Sequence, residues 1–160
     1  MRFSVFESPI GELILSGDDR GLAAIAFADS SKAPRPDATW TRDDGAFARV
    51  AQQLSAYFAG ELRRFELDLA PRGTPFQQRV WAALQAIPFG ATTTYGRLAG
   101  VLGDPHATRA VGLANGRNPI PIVIPCHRVI GADGTLVGYG GGLQRKQWLL
   151  AHEGVALRVS

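Results

Sequence analysis

Cysteine occurs once in the 160 residues, at Cys126, and His127 and Arg128 follow it directly. A thiol attacks as its thiolate, and an unperturbed cysteine near neutral pH is mostly thiol, so a nucleophilic cysteine needs a base or a positive charge beside it. Histidine supplies the first and arginine the second. Adjacent side chains on an extended segment point to opposite faces, so His127 reaches Cys126 only where the chain bends, or through a bridging water. The same pair also fits a buried structural cysteine beside a hydrogen-bonded histidine, since free cysteines are among the most buried residues. Other chemistries have less support. His106 and His152 lack cysteines or carboxylates at metal-ligand spacing, and a single cysteine makes neither an internal disulfide nor a cysteine-rich zinc site, so no metal is expected. Gly138-Tyr139-Gly140-Gly141-Gly142 has no P-loop lysine and no strand-glycine-helix order, and reads as a flexible loop whose backbone N–H groups can line a pocket.

The elements around these residues follow from patterning. Ile122-Val123-Ile124 is a short β-branched run that predicts a strand buried on both faces, ended by Pro125, which puts Cys126 where the strand leaves its sheet. Thr74-Pro75-Phe76-Gln77 is a capping box with proline at the first helical position, and Phe76, Val80, Trp81 and Leu84 form that helix's apolar stripe. Thr94 is placed to cap a helix over 95–102, Gly103 breaks the chain, and Asp104 is placed to cap a second helix from Pro105 to about Asn115, stopped by Gly116. Two short helices joined by a glycine turn read as a helix-turn-helix. Its second helix is expected to expose His106, Arg109 and Asn115, while Ala107, Ala110, Val111 and Ala114 are small enough for close approach. Gly131-Ala132-Asp133-Gly134 is a turn, and a last helix runs from Leu143 to Glu153, ended by Gly154.

Before Pro71-Arg72-Gly73, the expected boundary between domains at 1–70 and 71–160, nothing carries recognisable chemistry. Strands at 2–7, 12–16 and 22–27 form a meander, 28–41 is a connecting loop with Pro34 and Pro36, and Asp43 or Asp44 caps a helix ending at Gly60. That helix shows Phe47, Val50, Ala51, Leu54, Tyr57 and Phe58 on one face, and 65–69 alternates like another strand. Trp40, Trp81 and Trp148 are expected in the core. The fold class is therefore α+β: a small β-meander with a helix, then a helical domain with a winged-helix-like helix-turn-helix and a buried active-site strand.

With 46% hydrophobic and 19% charged residues the chain can bury a core and is not disordered in composition. No apolar run approaches the ~20 residues of a membrane span, and the reduced single cysteine suits a cytoplasmic setting. The net charge of +3 is uneven. Residues 1–90 hold 10 Lys and Arg against 11 Asp and Glu, whereas 91–160 hold 7 against 3. A basic second half fits either a nucleic-acid surface or a solvated face.

The order Arg109-Ala110-Val111-Gly112, Asn118-Pro119, Pro125-Cys126-His127-Arg128-Val129-Ile130 and Trp148-Leu149-Leu150-Ala151-His152-Glu153-Gly154 resembles the O6-alkylguanine-DNA alkyltransferases, also called methylated-DNA–protein-cysteine methyltransferases. The likeness runs from about Thr74 to Gly154; the first domain fits the family's variable first domain only in outline. The resemblance implies that Cys126 accepts the alkyl group, that His127 acts as base through a water, and that Glu153 orients and stabilises the imidazolium. It places Tyr95, Gly96, Asp104, Arg109 and Ala132 on the DNA-contacting surface, with Tyr95 helping to rotate the nucleotide out and Arg109 filling the vacated stack from the minor groove. Tyr95, Cys126, Val129, Tyr139 and Gly140 would form the base pocket, with the Cys126 and Val129 carbonyls accepting from the guanine amino group and the Gly140 N–H donating to O6. Many relatives have serine where Gly140 stands. Asn118 would be a hinge between recognition helix and cysteine segment. Arg128 is left to pair with an acidic residue of the first domain or to touch DNA.

The implied function is repair of O6-alkylguanine, with O4-alkylthymine open, by one irreversible transfer per molecule after base flipping. A thioether has no acyl carbon for water to attack, so the protein acts once. The partner is double-stranded DNA carrying the lesion; no cofactor, membrane or obligate protein partner is expected. Two rivals are a damage-recognition relative that does not repair, against which stands Cys126, and a cysteine hydrolase, which leaves the helix-turn-helix unexplained. A zinc-stabilised first domain, or an added zinc-bearing domain for gene activation, does not fit the cysteine count.

Overall fold

The computed structural model describes residues 1–30 and 35–156; Pro34 of the expected connecting loop lies outside them. The chain divides into one unit ending at Arg72 and a second beginning at Gly73. In the first, strands β1 (Arg2–Ser8), β2 (Gly11–Asp18) and β3 (Gly21–Phe27) form an antiparallel meander, and the two-residue strand β4 (Thr41–Arg42) adds in parallel, giving the order β3-β2-β1-β4. Leu13 and Leu15 alternate onto the buried face of β2, and Leu22, Ile25 and Phe27 are buried on β3. Helix α1 (Ala48–Phe58) follows a 3-10 turn over Gly45–Phe47, with Asp43 Oδ1 accepting from the Ala46 N–H at 3.1 Å. It buries Val50, Leu54 and Tyr57, spaced at helical period. Gly60 ends it at φ +79°.

The alternating stretch 65–69 is not a strand. Only Leu69 bridges, opposite Leu22, whose N–H donates to Asp68 O and whose O accepts from Ala70 N. The Gln53 side chain takes both backbone groups of Glu66, at 3.0 and 2.9 Å, which supplies the bonds a neighbouring strand would otherwise give.

The second unit opens with α2 (Pro75–Gln85), capped as the sequence predicts: the Gln77 N–H donates to Thr74 Oγ1 at 3.1 Å, and the Thr74 N–H donates to Gln77 Oε1 at 2.9 Å. Strand β5 (Thr93–Thr94) leads into α3 (Tyr95–Val101), where Thr94 Oγ1 accepts from the Arg97 N–H. After Gly103, at φ +81°, comes α4 (Thr108–Gly116). This helix starts later than expected: Asp104 Oδ1 accepts from the His106 N–H and caps a separate turn at Pro105-His106. Trp81 is buried, and its indole N–H donates to Ala114 O at 2.9 Å, tying α2 to α4. Strand β6 (Val129–Ile130) pairs in parallel with β5, and α5 (Leu143–His152) closes the described part. The molecule is α+β, as expected. Trp40 and Trp148 are half-buried rather than core.

Candidate active site

The cysteine does not end a strand. Residues 119–124 form a buried turn in which Ile120, Ile122 and Ile124 are fully enclosed. Ile122 has φ 75°, a left-handed conformation that costs a β-branched residue energy and persists only where surroundings over-determine it. Asn118 supplies much of that determination: its Oδ1 accepts from the Ile120 N–H at 3.0 Å and its Nδ2 donates to Ile124 O at 2.7 Å. Pro125 then leads into a 3-10 turn over Cys126–Arg128, and the strand, β6, follows the cysteine instead of preceding it. At three residues per turn, successive side chains diverge by about 120°, so Cys126, His127 and Arg128 point three ways.

His127 turns into the protein. Its Nε2–H donates to Glu153 Oε2 at 2.7 Å, with both side chains fully buried. A carboxylate only accepts, so the proton sits on Nε2 and the Nδ1 lone pair is basic. Nδ1 is buried with no hydrogen-bond partner among the described residues. Burial holds the His127 pKa below its ordinary value, with the Arg128 and Lys146 charges adding to the effect and the Glu153 hydrogen bond opposing it, so the imidazole is neutral. Arg128 turns inward to the same carboxylate. Its Nε donates to Glu153 Oε1 at 2.7 Å, its Nη2 to Oε2 at 3.1 Å and its Nη1 to Ile87 O at 2.6 Å, with the guanidinium 5.9 Å from the Phe89 ring centroid. One buried carboxylate thus neutralises the arginine and orients the histidine.

Cys126 is buried, and burial pushes its thiol up to about 11, with the Asn118 amide and the Lys146 ammonium pulling the other way. The resting sulfur is a thiol that must lose a proton to react. Asn115, expected at the surface, is buried; its Nδ2 donates to Cys126 O at 3.4 Å. Tyr95, at the start of α3, donates its hydroxyl to Val137 O at 3.0 Å. Its pKa is raised by burial and by the Cys126 charge. Tyr139 is half-buried and Gly140 exposed, with the site for a Cβ on Gly140 3.9 Å from Gly116 O. Gly96, Asp104, Arg109 and Ala132 are all exposed.

Lys146 went unnoticed in the sequence. It is fully buried, donating to Val129 O at 2.6 Å, Val137 O at 2.9 Å and Gly138 O at 3.2 Å. Its position on the inward face of α5 is readable from its spacing with Leu149 and Leu150, but its three acceptors are not.

Residues 1–71 match the family model described as 6-O-methylguanine DNA methyltransferase, ribonuclease-like domain, and 75–155 match the DNA binding domain of the same family. The chain belongs to the 6-O-methylguanine DNA methyltransferase family. It is 51% identical to a methylated-DNA–protein-cysteine methyltransferase from Methanosarcina acetivorans, over 96% of this chain and 99% of that one. It is 54% identical to the protein of that name from Mycolicibacterium paratuberculosis, over 96% and 92%. The Mycobacterium tuberculosis OGT, solved in complex with DNA, superposes at TM-score 0.89 with 51% identity, over 96% of this chain and 92% of that one. Among the described residues no helix is long and apolar enough to cross a membrane.

Proposed function

We propose that this methyltransferase repairs O6-alkylguanine in double-stranded DNA by moving the alkyl group once, irreversibly, to Sγ of Cys126. The observation that carries this reading is the neutral His127: its Nε2–H is fixed on Glu153 and its buried Nδ1 has no partner among the described residues, one residue from the sole cysteine. The thiol proton passes to Nδ1, directly or through a water. Sγ attacks the alkyl carbon, the C–O6 bond breaks, and its electrons return to the base, which regains the O6 carbonyl as N1 takes up a proton. Glu153 stabilises the imidazolium so formed, as carboxylates do in other nucleophile-base-acid triads.

The base must leave the duplex to meet a buried sulfur. Arg109, exposed on the first turn of α4, enters the vacated stack. Gly96, Asp104 and Ala132 approach the DNA backbone. Tyr95 exchanges Val137 O for the flipped base, in a pocket with Val129, Tyr139 and Gly140, while Asn118 holds the cysteine turn. The chemistry consumes a free thiol, which suits the reducing cytoplasm. Titration of a duplex bearing one O6-methylguanine with increasing protein tests the reading. Repair should plateau at one lesion per molecule; continued turnover by one molecule would contradict it.

A further inference from the structure

Resting on that reading, we infer that Lys146 is a positioning residue whose ammonium is a three-pronged staple, holding the 137–138 loop against the Val129 carbonyl to keep the base pocket formed. Its Nζ lies 2.6, 2.9 and 3.2 Å from the carbonyls of Val129, Val137 and Gly138. An ammonium has three N–H donors and no acceptor, so the protonated side chain matches this cradle one bond per proton, and a neutral amine leaves one carbonyl unmet. Burial disfavours the charged form and holds the Lys146 pKa down to about 8, which still leaves the ammonium predominant at neutral pH. The three acceptors lie on segments that touch the flipped base in the proposed pocket: Val129 on β6, and the loop that runs from Val137 and Gly138 to Tyr139 and Gly140. Gly138 itself sits at φ 53°, and no regular element covers residues 131–142. The loop's geometry is therefore set by what grips it. Tyr95 also grips Val137 O, at 3.0 Å. When that hydroxyl turns to the base, Lys146 still anchors this carbonyl, so the loop stays in place while substrate is bound.

The test is Lys146→Met, which keeps length and removes donors and charge. Affinity for an undamaged duplex should stay within about twofold, since a buried Lys146 touches no DNA. The single-turnover rate on O6-methylguanine duplex should fall about 10- to 150-fold, the factor for one charge-assisted hydrogen bond. Amide hydrogen exchange at 136–141 should accelerate while that of α2 does not. Unchanged exchange at 136–141 together with slower alkylation of Cys126 by iodoacetamide would mean that Lys146 acts on the thiol alone, and would overturn the inference. Should the variant not fold, 15N NMR of the wild-type protein at pH 7 decides: a Lys146 ammonium protected from solvent exchange supports the staple, and a neutral or rapidly exchanging amine refutes it. Wild-type protein run alongside separates the two claims. If it takes up no methyl group the repair reading fails; if it does and Lys146→Met matches it, only the staple fails.

Discussion

Replacing Glu153 with glutamine probes fold and chemistry together. The carboxylate accepts the His127 Nε2–H at 2.7 Å and two Arg128 N–H groups at 2.7 and 3.1 Å, with no side-chain exposure. Glutamine keeps the shape but turns one acceptor into an NH2 donor. Whichever way the amide rotates, that NH2 faces an N–H of His127 or Arg128, and the guanidinium loses its countercharge. Removing one partner of a buried ion pair costs about 3–5 kcal/mol, a large part of the roughly 5–15 kcal/mol that stabilises a typical domain. For a chain of this size that lowers the melting temperature by about 6–20 °C. The repair rate should fall about 10³- to 10⁴-fold, the scale seen when an amide replaces the carboxylate of a Ser-His-Asp triad. Urea unfolding and single-turnover repair, measured well below the variant's melting point, read the two effects separately. The double variant Arg128→Met/Glu153→Gln should recover about 2 kcal/mol or more of stability, because no charge is left unpaired, yet recover no rate. A cost for Glu153→Gln alone under about 1 kcal/mol, or a rate within about tenfold of wild type, would refute this role for the carboxylate.

The Cys126 thiol is raised from 9.0 to about 11, so its contribution to stability is full below pH 9 and is lost as pH rises through 11. The stability difference between wild type and Cys126→Ser should therefore shrink by roughly 2–3 kcal/mol across that window in urea titrations. Gly96 and Gly100 are exposed helical glycines whose added Cβ would meet nothing within 4 Å. Alanine at each should stabilise the fold by about 0.5–1 kcal/mol, but only Gly96→Ala should weaken duplex binding in an anisotropy assay. A Cβ on Gly73 would lie 2.4 Å from the Trp81 ring and 2.6 Å from Gln77 Oε1, so Gly73→Ala should disturb the capping box and lower the melting temperature. A Cβ on Gly140 would make only ordinary contact, 3.9 Å from Gly116 O, and Gly140→Ser should melt with the wild type while slowing repair of bulky O6-alkyl groups relative to methyl.

Much of this was legible in residue types because local rules and the final fold agree. Thr74 and Gln77 cap α2 through bonds made within four residues, and Leu13 and Leu15 alternate as a one-sided strand must. Cys126, His127 and Glu153 could be singled out by their motif. The segment before the cysteine could not be read correctly. A β-branched run bounded by prolines looks the same whether it forms a strand or a buried turn; what decides is the Asn118 side chain, which bonds Ile120 N and Ile124 O across the turn that holds Ile122 at positive φ. Asp104 was recognised as a cap, but it caps a turn rather than α4. Arg128 and Lys146 were missed for a common reason. A buried cation is set by acceptors from remote segments, here Glu153 and the carbonyls of Val129, Val137 and Gly138, and spacing along the chain carries no record of them.

Every step proposed above requires that Cys126 take the alkyl group. Intact-mass and peptide mass spectrometry after one equivalent of O6-methylguanine duplex tests it most directly. A single methyl group on the peptide containing Cys126, matched by an equal amount of restored guanine, is the predicted result. An unmodified protein that still binds the lesion duplex would contradict the account.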